Sequence, residues 1–223
     1  MKIKKIFKYL VAHTYKPLLV KYLSKTRTYV YQGIRLDIPP EVFHPAFFFS
    51  SKLLLRYISR QKLRQKSLLE LGAGSGLISF FAARQGADVT ATDINPVAIQ
   101  FLRRNQQNNQ IPLKVIHSDM FSEIPLQTFD IIAINPPYYK RKPETDADYA
   151  WYCGENGEYF EKLFKGLARY MHADSLVLLI LCDACDLHMV YEMAERQLLQ
   201  ILCVQTKKNL LENNFILKIE QVL

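Results

Sequence analysis

Apolar residues recur at helical spacing where the chain begins. Ile3, Ile6, Phe7, Leu10 and Val11 fall on one face, and the pattern predicts two short amphipathic helices over about residues 2–24, broken near Pro17. The period then shortens to two: Thr28–Gly33 and Ile34–Ile38 read as a hairpin turning at Gln32-Gly33. Val42–Ala46 is a loop, followed by a helix over about 47–60. From Ser67 onward, short apolar runs alternate with helical patterns. Strands are expected at Leu68–Leu71, Asp88–Thr92, Leu113–His117, Phe129–Asn135 and Leu176–Cys182, and helices at about 76–86, 96–109, 157–172 and 185–197. Asn95-Pro96 is a helix start, since Asn caps the free amides and Pro fits the first turn. Leu199–Gln205 and Phe215–Glu220 suit an antiparallel terminal pair. The pattern predicts an α/β fold, a doubly wound, mostly parallel seven-stranded sheet. A basic helical and hairpin extension over 1–40 precedes the main domain over 41–223.

With 223 residues, 49% hydrophobic and 22% charged, eight Gly and ten Pro, the chain is neither disordered, collagen-like nor of low complexity. The net charge of +8 is unevenly placed. Residues 1–35 hold nine Lys and Arg and no acid, which leaves 20 basic against 21 acidic residues for the rest. A second basic run (Lys52, Arg56, Arg60, Lys62, Arg64, Lys66) has no acid between Glu41 and Glu70. Such asymmetry fits either contact with a polyanion (RNA, ribosome, DNA or an anionic membrane) through residues 1–66, or simply solvated helix faces. Four sparse cysteines point to a reducing compartment. Cys182-x-x-Cys185, with His188 nearby, lacks a second ligand pair and reads as a strand end entering a helix, so no metal is expected. The longest apolar run, Leu176–Cys182, is far below spanning length, and Lys8, His13, Lys16 and Lys21 break the N-terminal apolar stretches. No transmembrane segment is expected, and a cytoplasmic location is.

The densest candidate chemistry lies in Glu70-Leu71-Gly72-Ala73-Gly74-Ser75-Gly76, between an apolar strand and a helix. Glycines there let the backbone approach a ligand without Cβ obstruction, and open α/β sheets bind ligands at the carboxyl ends of their strands. The next strand ends in Asp93-Ile94, where a carboxylate can accept both hydroxyl hydrogens of a ribose. The third ends in Ser118-Asp119-Met120-Phe121: Asp119 can accept from an adenine amino group, with Met120 and Phe121 against the ring. A dinucleotide site uses a similar turn and ribose acid. Here the spacing is G-x-G-x-G rather than G-x-G-x-x-G, and S-adenosylmethionine needs no pyrophosphate contact. The cofactor candidates are Glu70, Gly72, Ala73, Gly74, Gly76, Asp93, Ile94, Asp119 and Met120.

The fourth strand ends in Asn135-Pro136-Pro137-Tyr138. Together with the glycine turn, this resembles the class I S-adenosylmethionine-dependent methyltransferases that act on amino groups, from about Phe43 to the C-terminus. The resemblance implies a Rossmann-like methyltransferase fold, S-adenosylmethionine as cofactor, and Asn135, Pro136, Pro137 and Tyr138 as catalytic residues, with Asn135 also beside the cofactor. The chemistry accounts for these residue types. An amide or aniline-like nitrogen has a delocalised lone pair. The Asn135 side-chain oxygen and the Pro136 carbonyl can accept its two hydrogens and aim the lone pair at the sulfonium methyl, while Tyr138 stacks on the planar target. Consecutive prolines hold the carbonyl in place.

Within that group the chain is most similar to short HemK-type protein glutamine methyltransferases, which implies a release factor or ribosome-associated protein as substrate. Val42–Ala46 resembles the segment that closes over the cofactor and implies contacts from Phe43 and Pro45; Ala150–Gly157 resembles the substrate-side loop. Phe47–Phe49 stand where that family carries acidic or small polar residues, and Cys153 where it has a glycine. The same Asn-Pro-Pro-Tyr serves enzymes that methylate adenine N6 or guanine N2 in RNA or DNA, and Lys140-Arg141-Lys142 directly after it suits a phosphate backbone beside a flipped base. A non-catalytic RNA- or ribosome-binding module is a third reading, against which the intact Asn135–Tyr138 argues.

Overall fold

The computed structural model describes residues 21–209 and 212–222. The helices expected over 2–24 fall, up to residue 20, outside the described residues. The hairpin forms as expected: β1 (Arg27–Tyr31) and β2 (Ile34–Ile38) pair antiparallel. Gln32 and Gly33 both have positive φ, 47° and 81°, the turn whose twist matches that of the flanking strands.

After α1 (Phe49–Ile58), strands and helices alternate as β3 (Ser67–Leu71), α2 (Leu77–Arg84), β4 (Asp88–Asp93), α3 (Pro96–Asn109), β5 (Lys114–His117) and β6 (Phe129–Ile134). Then come α4 (Glu158–Leu167), β7 (Met171–Cys182), α5 (Leu187–Glu195), β8 (Leu199–Lys208) and β9 (Asn213–Gln221). The seven-stranded sheet has the order β5-β4-β3-β6-β7-β9-β8. Its pairings are parallel from β5 to β7, and β9 runs antiparallel to both of its neighbours. The doubly wound reading is therefore correct, and the terminal pair is longer than its apolar cores suggest.

Both faces of the sheet are covered, which is why its central strands read as nearly unbroken apolar runs. Leu68, Ile131, Ala133, Leu178 and Ile180 face one cluster with α1, α2, α3 and β2. Leu69, Ile132, Ile134, Val177 and Leu179 face the other, with α4 and α5. The start of α3 is as expected, with the Asn95 side chain accepting from Val97 N at 2.8 Å and Pro96 in the first turn. At the amino ends of the strands, Asp130 accepts from Lys66 Nζ at 2.7 Å and from Ser67 N at 2.9 Å, and the lysine bond leads in holding its carboxyl down at about 2. Among the described residues no helix is long and apolar enough to cross a membrane.

One expected boundary is wrong. The helix over 157–172 ends at Leu167, one 3-10 turn follows, and β7 begins at Met171 rather than Leu176. Polar His172–Ser175 hides the strand in the sequence. Ser175 secures it by donating its hydroxyl to Phe129 O at 2.6 Å and accepting from His172 N.

The hairpin is tied to the main sheet by two asparagines one turn apart on α3. Asn105 accepts from Asp37 N at 2.9 Å and donates to Asp37 O at 3.0 Å, and Asn109 does the same with Arg35 at 2.8 and 2.7 Å. Each imitates a neighbouring strand for one residue of β2. Asn105 is 1% exposed, so Asn105→Ala strands two buried backbone groups and is expected to cost about 2–4 kcal/mol in urea unfolding. The half-buried Asn109→Ala is expected to cost less than half of that, because water replaces its bonds; equal losses would remove the explanation.

Candidate active site

The sheet order reverses between β3 and β6, and a crevice opens at such a point beyond the carboxyl ends of the strands. There the ends of β3, β4 and β6 and the loop after β5 surround one cavity of about 260 Å³. Glu70, Gly72, Ala73, Gly74, Asp93, Ile94, Asp119, Met120, Phe43 and all four residues Asn135–Tyr138 line it, as the sequence suggested. Pro45 and Gly76, also expected at the cofactor, are not in the wall.

The glycines of the turn have different tasks. A Cβ built on Gly72 meets nothing within 4 Å, so the backbone there faces open space. Gly76 caps α2 with φ 76°, and Leu102 and Phe80 leave no room for a side chain. Its requirement comes from packing between α2 and α3.

Asp93 is 9% exposed and bridges two loops: Oδ2 accepts from Gly74 N at 2.7 Å and Oδ1 from Asn95 N at 2.9 Å. A carboxylate has about four acceptor positions, so about two remain for a ligand. Burial raises its pKa, and three backbone N–H groups oppose that shift. Glu70 lies behind it, accepting from the backbone N–H and the hydroxyl of Ser79 in the first turn of α2. Burial pushes the Glu70 carboxyl up to about 8, against these two bonds, so it is neutral at pH 7.

On the β6 side, Asn135 donates Nδ2 to Ser51 Oγ in the first turn of α1, at 3.1 Å. The loop after Tyr138 is stitched to the segment 151–154: Tyr139 N donates to Trp151 O, Cys153 N to Tyr139 O and Gly154 N to Arg141 O, at 3.0, 3.0 and 3.1 Å. This brings Trp151 against Phe43 and Phe48, at ring-centroid distances of 5.2 and 5.1 Å, and those two rings stack at 4.0 Å. The phenylalanine run thus contributes one ring to an aromatic wall formed with Phe43 and Trp151. Burial raises the Tyr138 hydroxyl, which lies against Cys182.

Several expectations need correction. Phe121 stacks on Tyr170 at 4.7 Å in the core and is not in the wall. Asp119 Oδ2 is held by Lys162 on α4 at 2.6 Å. The run Lys140–Lys142 is largely compensated: Lys140 pairs with Asp186 at 2.6 Å, and Arg141 lies over Tyr152 and beside Glu144. Between residues 139 and 158 those three bases meet five acids, Glu144, Asp146, Asp148, Glu155 and Glu158. Cys203, unlike the other three cysteines, is exposed. Ser51 and Tyr159 also line the cavity; neither stands in a pattern that marks it in the sequence.

The methyltransferase small domain model matches residues 38–153. A putative protein N5-glutamine methyltransferase of Methanocaldococcus jannaschii is 32% identical over 152 residues, 66% of this chain and 75% of that protein. Ribosomal RNA small subunit methyltransferase C of Haemophilus influenzae is 32% identical over 128 residues, 53% of this chain but 38% of that protein. The chain spans less than half the length of several curated relatives it matches. A crystal structure of a methyltransferase from Pyrococcus furiosus superposes with a TM-score of 0.63 at 20% identity, covering 95% of this chain and 99% of that one.

A neutral buried Glu70 makes stability depend on pH. Between its ordinary value of 4.5 and about 8, the native state holds a proton that the unfolded chain has lost, so this group lowers stability as pH rises through that window. Glu70→Gln removes the titration. Urea unfolding is expected to show little difference from wild type near pH 4 and a gain on the order of 1–3 kcal/mol near pH 8. A pH-independent difference would show that Glu70 is ionised in the native state.

Proposed function

The chain belongs to the methyltransferase small domain family, and from that premise we propose that it methylates a planar amide nitrogen, that of a glutamine side chain in a protein. It is an S-adenosylmethionine-dependent methyltransferase, and the cavity suits that cofactor. The buried Asp93 carboxyl and an uncovered stretch of backbone at Gly72 fit a ligand with vicinal hydroxyls. When bound, the cofactor supplies an electrophilic methyl group on a sulfonium.

The other roles fall to the chain. Asp93 takes the ribose hydroxyls on its remaining acceptor positions. Ile94 and Met120 flank the adenine, and Asp119 accepts from its amino group through the oxygen that Lys162 leaves free. Gly72–Gly74 and Phe43 enclose the remainder, with Glu70 behind them. Asn135 Oδ1 and the Pro136 carbonyl accept the two hydrogens of the target nitrogen, Pro137 stiffens that carbonyl, and Tyr138 stacks on the target plane. Holding both hydrogens aims the lone pair and favours pyramidalisation, so positioning and charge stabilisation supply the acceleration. The observation that carries this reading is the Asn135 amide, which lines the same cavity as Asp93 with its Nδ2 engaged by Ser51.

Protein is favoured over nucleic acid by the charge of segment 139–158, where five acids meet three bases. Of these acids, Asp146 and Glu158 line the cavity beside Lys162, the single lining base among the described residues. The M. jannaschii relative, named for glutamine, covers two thirds of this chain. One observation favours the RNA-base reading. Lys52 and Arg56 on α1 and Arg60 in the turn after it lie exposed at four-residue intervals, and one relative is named for ribosomal RNA. That stripe, with the basic residues before it, is also the route by which a ribosome-bound protein would be approached in the cytoplasm.

Three outcomes are expected. Asp93→Ala weakens cofactor binding by about 1.5–3 kcal/mol in calorimetry; unchanged affinity would discard the ribose role. Asn135→Ala keeps cofactor affinity and loses on the order of 10²–10³ in transfer rate; near wild-type turnover would refute its contact with the target. Methyl label transferred to cell extract becomes acid-soluble on protease digestion and resists nuclease. A nuclease-sensitive product, together with RNA binding that weakens steeply with salt and is lost when Lys52, Arg56 and Arg60 become Gln, would establish the RNA reading instead.

A further inference from the structure

We propose that Ser51 is a positioning residue for methyl transfer: its hydroxyl anchors the Nδ2 edge of the Asn135 amide and so fixes the plane and position of the oxygen offered to the acceptor nitrogen. The inference rests on the reading of Asn135 given above. An asparagine amide offers an acceptor on one edge and a donor on the other, and its terminal torsion is broad and nearly two-fold. A half-turn places N–H groups against the two hydrogens of the target nitrogen, and the site then repels what it has to hold. A partner at the outer edge holds the amide plane; a hydroxyl can pair with either edge, and here it pairs with Nδ2, which leaves Oδ1 for the target.

Ser51 Oγ is that partner, at 3.1 Å. Ser51 is 8% exposed, and its helix is anchored through Leu53, Leu54, Leu55 and Ile58, which are at most 2% exposed, so the oxygen stands at a fixed point. The bond also does chemical work. An amide that donates through Nδ2 is polarised, and its oxygen becomes a stronger acceptor. That gain grows as the target nitrogen becomes positive during transfer, so the effect falls on turnover more than on binding. The N-cap of the same helix is Phe48, one of the three rings in the aromatic wall. The residue that packs on Phe43 and Trp151 and the group that holds Asn135 are therefore three positions apart at the start of one helix.

The test has a readout that needs no substrate. In 15N-labelled protein, the Asn135 side-chain amide is assigned by its disappearance in Asn135→Asp. Its solvent exchange is expected to be at least about tenfold faster in Ser51→Ala than in wild type, and to return toward wild type in Ser51→Thr, which keeps the hydroxyl. In parallel, Ser51→Ala is expected to lower the initial rate of labelled methyl transfer to cell-extract protein about tenfold, with S-adenosylmethionine affinity changed less than twofold. Unchanged exchange, or a transfer rate equal to wild type, overturns the proposal. So does an equal further loss when Ser51→Ala is added to Asn135→Ala, since a residue acting through Asn135 has nothing left to orient. If Asn135→Ala itself transfers normally, the reading of Asn135 fails. If Asn135→Ala is inactive while Ser51→Ala is normal, only the present inference fails.

Discussion

A parallel sheet buried on both faces leaves its strands no room for polar side chains except where they run out. In this chain the interiors of β3, β6 and β7 are apolar on both faces, β4 buries only the small hydroxyls of Thr90 and Thr92, and Glu70, Asp93, Asn135 and Cys182 all stand at or next to carboxyl ends. Chemistry collects there because solvation permits it nowhere else in the layer. The crossover after β3 sends one connection to each side of that strand, which opens the edge into a cavity rather than a closed seam. The positions of the two acids and of the Asn-Pro-Pro-Tyr segment all follow from that constraint.

Putting two carboxyl groups at such a buried edge costs free energy, and the fold deals with each differently. Asp93 is surrounded by backbone N–H donors, which oppose the effect of burial. Glu70 has only Ser79, and burial prevails. Two neighbouring acids thereby avoid being two neighbouring anions. Asp93 ties the glycine turn to the start of α3, and Glu70 ties the end of β3 to the start of α2. Both acids hold the backbone of the crevice in shape whether or not a ligand is present.

What could be read in the sequence was whatever is encoded locally. The period-two hairpin with its Gln32-Gly33 turn, the cap at Asn95-Pro96, the buried runs of β3, β6 and β7, and the cavity residues that follow each strand all depend on near neighbours. What could not be read depends on partners far along the chain. The early start of β7 is set by Ser175 bonding to Phe129, 46 residues away. Asn105 is anonymous on a helix until Asp37 lies beside it. Asp119 and Lys162, and Asn135 and Ser51, pair across 43 and 84 residues. Lys140 and Arg141 look unpaired in the sequence because their counter-charges come from Asp186 and from Glu144 in a loop that folds back on them. In each case the residue type was visible and its partner was not.

The distribution of charge bears on what reaches the cavity. A base flipped out of RNA brings its own phosphate and those of its two neighbours to the rim, because the backbone is only a few bonds from the ring. A glutamine side chain reaches inward from a neutral peptide backbone, and any charge nearby belongs to adjacent side chains. Five acids against three bases at residues 139–158 tolerate the second visitor far better than the first. Lys52 and Arg56 stand one turn apart on α1, about 6 Å at the usual rise per residue, and Arg60 follows in the turn beyond the helix end. These exposed cations and the acid-rich segment 139–158 are separate stretches of the chain. The two signs of charge thus stand on different elements, cations on α1 and the turn after it and acids mostly on the loop before α4.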